Sequence, residues 1–240
     1  MHERFLEPIS PFGAISRYNT PMLRPFLLLI ALLLPLTAIE IVDRPIPFGP
    51  ERTALTEAYI KQHYGIEGKG VTITPRIILV HVTGIDDLEE SYGRFTSETL
   101  AGSRPDIQKG GAVNVSAHFM VDFDGTIYRL MDETTMGRHV IGLNYSSIGI
   151  ENVGGAHGYA NLTAAQLEAN RQLVAYLTQK YPTITRLIGH YEYRCLEQSP
   201  LWLERDPDYR TEKSDPGATF MELLRRFFPD LQGASCEHRE

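Results

Sequence analysis

The sequence predicts a mixed α/β or α+β fold, in which a single mixed β-sheet is flanked by helices. Two observations indicate this class. Short apolar runs of strand length alternate with longer segments of helical spacing, and one pair of runs has the signature of a β-hairpin. The chain has 240 residues, 42% of them hydrophobic, which is enough for one globular domain with additional segments.

The central strand is predicted within Arg76–Gly84 (RIILVHVTG), where four consecutive apolar residues precede His81. Pro75 and Gly84 bound this run, and its β-branched residues suit a strand buried on both faces. A buried helical segment would show the same lack of alternation. The strand is favoured because Pro75 and Gly84 flank the run. Two further strands, each carrying a polar residue in apolar surroundings, are predicted at Ser147–Val153 and Ile184–His190.

A hairpin is predicted around Asp124-Gly125, because this dipeptide separates two strand-like runs, Ser116–Phe123 and Thr126–Asp132. Thr163 and Gln166 have the spacing of a capping box, which marks the start of a helix. Helices are predicted at Thr53–Tyr64, weakly near Asp86–Phe95, at Asn161–Tyr181 and at Phe220–Phe228. A mobile loop is expected in the rest of residues 85–112, and a charged excursion over residues 191–212.

The first 38 residues have the features of an export signal. Arg24 precedes Phe26–Leu36, which is almost purely apolar, and the small residue Ala38 follows. This order predicts a secretory signal peptide, with an uncleaved N-terminal anchor as the alternative. We therefore expect a periplasmic or secreted protein that touches the membrane only through an uncleaved leader. The remaining boundaries are predicted as an extended lead-in over 39–52, a catalytic domain over 53–230 and a tail over 231–240.

Charge and cysteine content narrow the function classes. The formal net charge is −7, which argues against nucleic acid as a partner. Cys195 and Cys236 could pair in an oxidising compartment, and neither lies in a metal-binding Cys-x-x-Cys pair. A thiol nucleophile at Cys195 is less favoured than a disulfide or an inert thiol. The sequence has no Gly-x-Ser-x-Gly elbow, which disfavours a serine hydrolase.

Polar residues of three predicted strands point to a metal site. His81 and His190 each follow an apolar run, and Glu151 lies near the end of a third run. Because neighbouring strands lie about 5 Å apart, side chains at their ends can converge on one point. Two imidazoles and a carboxylate are a common set of catalytic zinc ligands. The alternative for each histidine alone is a core residue that is hydrogen-bonded to the backbone.

Five sequence pieces, spread over roughly residues 55–228, share a common order with one known family: IILVHVTG, VSAHFMVDFDGTIYRLM, HVIGLNYSSIGIENVGG, LIGH and KSDPG. The sequence resembles the zinc-dependent N-acetylmuramoyl-L-alanine amidases of the amidase-2 type, which are related to peptidoglycan recognition proteins. The resemblance implies that family's fold, Zn²⁺ as cofactor, and hydrolysis of the amide bond between N-acetylmuramic acid and L-alanine in peptidoglycan or muropeptides. Two rivals are a non-catalytic peptidoglycan-binding module and a muropeptide-recycling amidase inside the cell, which the leader disfavours.

The resemblance also implies individual roles. His81, His190 and Asp215 match the zinc ligands, Glu151 matches the general base, and Lys213 matches the residue that stabilises the oxyanion.

Two features depart from the family pattern. Ala117 stands where many relatives carry a tyrosine that assists catalysis, which shifts the catalytic burden to Glu151. The separation of His190 and Asp215 is longer than in compact relatives, and the segment between them is a candidate lid or substrate wall. This segment offers other carboxylates that could serve as ligands, among them Glu192, Glu197, Asp206 and Asp208.

The other matched histidines have lesser expected roles. His118 is expected in the packing of the hairpin or in the wall of the site. His139 is expected to line the substrate groove, and His157, between two glycines, is expected in a loop.

Overall fold

A computed structural model of the protein describes residues 39–102, 105–234 and 236. The predicted leader, residues 1–38, lies outside the described residues, as do residues 235 and 237–240 of the predicted tail. Among the helices of the described residues, none is both long enough and apolar enough to cross a bilayer.

Strands and helices alternate along the described chain. The strands are β1 (Val42–Asp43), β2 (Ile77–Val82), β3 (Phe119–Val121), β4 (Ile127–Arg129), β5 (Ser147–Asn152) and β6 (Arg186–Gly189). The helices are α1 (Pro50–Tyr59), α2 (Leu88–Thr96), α3 (Pro105–Gln108), α4 (Ala164–Lys180) and α5 (Ala218–Arg225).

In the described part of the chain, the strands form one six-stranded sheet with the order β1-β4-β3-β5-β2-β6. β2 lies between β5 and β6 and is parallel to both. β3 is parallel to β5 and antiparallel to β4, and β1 is parallel to β4 at one edge. The predicted single mixed sheet is confirmed, and the parallel centre brings the carboxyl ends of three strands to the same edge.

The side chains of β2 alternate between two apolar layers, and every residue of the strand is buried. Ile78 and Val80 pack in a cluster with residues of α4 and α5 on one face of the sheet. Ile77 and Leu79 pack on the other face, in a cluster that includes Tyr59 of α1. Because side chains alternate in a strand, His81 lies on the same face as these two residues.

Local sequence signals account for the limits of the helices. α1 continues as a π-helical turn over Ile60–Tyr64 and ends at Gly65, whose φ of 64° is left-handed. The hydroxyl of Thr163 accepts a hydrogen bond from the backbone N–H of Gln166, and the Gln166 side chain accepts one from the N–H of Thr163. This confirms the predicted capping box at the start of α4.

Two elements differ from the prediction. The strand predicted at Ile184–His190 is β6, which ends at Gly189, and His190 begins a 3₁₀ segment, His190–Leu196, instead of completing the strand. The reason is a local cap, since the Glu192 carboxylate accepts a hydrogen bond from the N–H of Gly189 and so favours a turn over the strand ladder. The segment expected to be a loop after α2 contains the short helix α3.

Candidate metal centre

Three of the predicted site residues meet at the carboxyl edge of the sheet. His81 is in β2, His190 follows β6 directly, and Asp215 lies just before α5. The His190 Nδ1 atom lies 3.0 Å from His81 Nδ1 and 3.2 Å from Asp215 Oδ2. The third separation, from His81 Nδ1 to Asp215 Oδ2, is 3.6 Å.

These separations suit a tetrahedral metal ion. Zinc binds imidazole nitrogen and carboxylate oxygen at about 2.0–2.2 Å, so two ligand atoms of a tetrahedral site lie about 3.3–3.6 Å apart. The three observed distances fall close to that range. Among the described residues, this is the one group of three or more histidine, cysteine or acidic side chains that could hold a metal ion.

The protonation states also fit a cation. Burial, followed by the nearby His190, lowers the pKa of His81 to about 4, so its imidazole is neutral at pH 7, as a metal ligand must be. Burial opposes ionisation of Asp215, but its contacts with His190 and His81 outweigh this effect and lower the pKa of the carboxyl group. The neutral imidazole of His81, the imidazole of His190 and the Asp215 carboxylate therefore face the same point.

Asp215 is held in place by the backbone around it. Its Oδ2 atom accepts a hydrogen bond of 3.3 Å from the N–H of Val82, at the end of β2. Its own carbonyl accepts one of 3.0 Å from the N–H of Tyr191. The residue is thereby fixed to β2, which supplies His81, and to the 3₁₀ segment that begins with His190.

A cleft of about 410 Å³ opens over this group, and Glu151 and Lys213 line it together with the three candidate ligands. Glu151 is directly opposite His81 in the parallel pairing of β5 with β2. The Lys213 Nζ atom lies 4.0 Å from Asp106 Oδ2, and its side chain is 21% exposed. The cleft thus brings together all five residues that the resemblance implicates. Its volume lies within the range of small-molecule binding sites.

A model of the N-acetylmuramoyl-L-alanine amidase family matches residues 71–218, which is more than half of the chain. The chain belongs to this family. The match includes all three candidate ligands, Glu151 and Lys213.

Two phage endolysins are similar to parts of this family member. The endolysin of Escherichia phage T7 is 39% identical over 86 residues, which are 34% of this chain and 56% of the endolysin. The endolysin of Enterobacteria phage T3 is 39% identical over 75 residues, which are 30% of this chain and 50% of the endolysin. The chain therefore spans about half the length of these curated relatives.

Among solved structures, a selenomethionine derivative of AmpD has the same fold. Its TM-score is 0.50 at 21% sequence identity, and the superposition covers 78% of this chain and 94% of that chain. The predicted amidase-2 type of fold is confirmed by this similarity and by the family match.

The excursion between His190 and Asp215 supplies part of the cleft wall, because Tyr209 and Thr211 line the cleft. The carboxylates named above as alternative ligands are engaged elsewhere or exposed. Glu192 pairs with Arg225, Glu197 accepts from Arg194 at 2.8 Å, Asp206 accepts from the N–H of Asp208, and Asp208 is exposed. Near the start of the excursion, Cys195 forms a disulfide with Cys236.

His118 and His157 both lie away from the candidate ligands, one in the core and one at the surface. His118 is fully buried, accepts a hydrogen bond from the N–H of Gly149 at 3.0 Å and contacts the carbonyl of Thr135 at 2.9 Å. It thus belongs to the packing beneath the hairpin, as does the fully buried Ala117. His157 is exposed in a loop, as predicted.

Two residues that the sequence analysis did not single out shape the cleft. The Asn144 Oδ1 atom accepts hydrogen bonds from the N–H groups of His139 and Val140, at 2.9 and 2.8 Å. The buried Arg138 guanidinium donates to backbone carbonyls, including that of Gly111, and to the hydroxyl of Tyr209. Asn144 lies within the matched piece HVIGLNYSSIGIENVGG, and this position was the available signal for it. Arg138 lies just outside that piece, and no sequence signal marked it.

Proposed function

We propose that this chain is a zinc-dependent hydrolase of the amide bond between N-acetylmuramic acid and L-alanine in peptidoglycan or muropeptides. The single observation that carries the proposal is the gathering of two imidazole nitrogens and a carboxylate oxygen within 3.6 Å of one another, at the base of a cleft. The family match supports the choice of reaction. His81, His190 and Asp215 are proposed as the zinc ligands.

Zinc held by these three residues would act as a Lewis acid and lower the pKa of a bound water from 15.7 toward about 7. The protein supplies three ligands, which leaves a fourth position for solvent or substrate. The fit is chemical as well as geometric, since neutral imidazoles and an ionised carboxylate are the forms that bind a divalent cation.

Glu151 is proposed as the general base. Its carboxylate removes a proton from the attacking water and later delivers it to the departing amine of L-alanine. The parallel register supports this role, because it places Glu151 on the strand next to His81 and at the same height. The residue is 9% exposed and lines the cleft next to the proposed ligands.

Lys213 is proposed to stabilise the negative charge that develops on the attacked carbonyl oxygen. Its place in the cleft wall, two residues before the proposed ligand Asp215, supports this role. A positioned donor of this kind typically contributes about 3–4 kcal/mol to the transition state. Thr211 of the excursion is proposed to contact the substrate from the same wall.

The proposed place of action is the periplasm or the exterior, where peptidoglycan is found. The support comes from the sequence pattern of residues 1–38, since an apolar run with a basic flank is typical of an export signal.

The proposal is tested by incubating purified protein with isolated peptidoglycan and identifying the released peptides by mass spectrometry. We expect peptides with a free L-alanine amine, and no release after a chelator removes the metal. Re-addition of Zn²⁺ should restore release, whereas Mg²⁺ should not. Binding to the wall without peptide release, in zinc-loaded protein, would favour the non-catalytic module instead.

Glu151→Gln tests the general base, because it keeps the shape and removes the charge. We expect kcat to fall by about 10²–10⁴-fold while zinc content is unchanged. Asp208→Asn is the matched control, since it removes an exposed carboxylate of the excursion and should leave kcat unchanged. Full activity of zinc-loaded Glu151→Gln would exclude the base role.

A further inference from the structure

His139 lies against His81 on the side away from the candidate ligands. It belongs to the segment between β4 and β5, and its ring is perpendicular to the His81 ring, with centroids 5.1 Å apart. The His81 Nε2 atom is 3.0 Å from His139 Nδ1. The two nitrogens of His81 therefore have separate tasks, Nδ1 facing His190 and Asp215 and Nε2 facing His139.

The contact between His139 and His81 depends on the absence of a side chain at Gly149. A Cβ atom there would lie 2.8 Å from Cγ of His139, closer than real side-chain contacts allow, so the His139 ring occupies the space that any other residue would fill. Asn144 holds the backbone of His139 from the other side through the hydrogen bond to its N–H. The position of this ring is thus determined by a glycine below it and an amide beside it.

The hydrogen bonds have a single consistent direction once a cation is bound. A metal on His81 Nδ1 requires the proton of that ring to be on Nε2, which then donates to His139 Nδ1. His139 in turn carries its proton on Nε2, which is 3.2 Å from Ser147 Oγ and 3.4 Å from the Ser147 carbonyl. The Ser147 hydroxyl donates to the carbonyl of Leu143 at 2.9 Å, so its lone pairs are available to His139.

We propose that His139 is a positioning residue that fixes the ring orientation and the tautomer of His81 for zinc binding. The inference rests on the zinc site of the proposed function and adds a residue to it. Imidazole ligands of metals commonly donate their second N–H to a carboxylate, a carbonyl or water. Here the acceptor is a neutral imidazole, which orients the ligand without adding charge to a site that already holds Asp215 and Glu151.

A matched pair of variants tests the inference. His139→Asn retains an acceptor atom near the place of Nδ1, whereas His139→Leu has nearly the same shape and no acceptor. Zinc affinity is measured by competition with a chromophoric chelator, which does not depend on turnover. We expect His139→Leu to bind zinc about 10–100-fold more weakly and His139→Asn to bind it within about threefold of wild type. Equal affinities for the folded Leu variant and wild type would overturn the inference.

A measurement on the wild-type protein covers the case in which His139→Leu does not fold. In zinc-loaded, ¹⁵N-labelled protein, a scalar coupling across the hydrogen bond from His81 Nε2 to His139 Nδ1 is expected. A proton found on His139 Nδ1 instead would overturn the inference. The two proposals fail separately: wild-type protein that binds no zinc refutes the proposed function, whereas tight zinc binding without dependence on residue 139 refutes this inference alone.

Discussion

His81 and His118 are both buried histidines close to the central strands, and burial is the first cause that lowers the pKa of each to about 4. Their partners differ. Both ring nitrogens of His118 contact backbone groups, those of Gly149 and Thr135, whereas Nδ1 of His81 faces the side chains of His190 and Asp215. Burial and a lowered pKa therefore do not mark a functional histidine in this protein. The identity of the partners does.

The largest expected effect comes from removing a proposed ligand. We expect His190→Ala to lose zinc in the presence of a chelator and to reduce peptide release to background. Even residues that only support a ligand change metal affinity by about 10–100-fold, so a missing ligand should cost more. Zinc content is measured by atomic emission. His157→Ala is the control, because this exposed histidine has no place in the cleft and should retain zinc and activity.

The second prediction concerns His118, where a substitution should reduce stability and leave zinc affinity nearly unchanged. His118→Leu leaves the N–H of Gly149 and the carbonyl of Thr135 without their partner, and each unpaired buried group costs about 1–3 kcal/mol. We expect the free energy of unfolding of the metal-free protein to fall by about 2–4 kcal/mol in urea titrations. Zinc affinity of the folded variant should change little. A loss of zinc affinity as large as that of His190→Ala would contradict the comparison.

The third prediction is a pH dependence, which amounts to at most about 2 kcal/mol over the tested range of pH 4.5–6. The pKa of His118 is about 4 in the folded protein and about 6.5 in an unfolded chain, so between these values the unfolded state binds more protons. Stability should fall as the pH decreases from about 6.5 to 4, with about 1.4 kcal/mol per pH unit for this one group. His118→Asn, which keeps an acceptor but does not titrate, should show a shallower slope in metal-free urea titrations at pH 4.5–6. Identical slopes would mean that His118 does not contribute.

The sequence predicted the elements of this fold because the signals for them are local. Four consecutive apolar residues marked β2, Asp124-Gly125 marked the hairpin, and Thr163 with Gln166 marked the start of α4. The predicted end of a strand was wrong where a side chain beyond the apolar run caps the backbone and turns the chain. The end of β6 is the example, since the cap that Glu192 makes on Gly189 turns the chain before His190.

For the site, the sequence by itself determined which residue types were available and, through the resemblance, which five to examine: His81, His190, Asp215, Glu151 and Lys213. Their roles stay proposals. Only the tertiary structure decided which side chains meet, because the parallel pairing of β2 with β5 and β6 brings His81 next to Glu151, 70 positions along the chain, and next to His190, 109 positions along the chain. The contact of His139 with His81 depends on how one loop packs over Gly149, and no local pattern encodes such a distance.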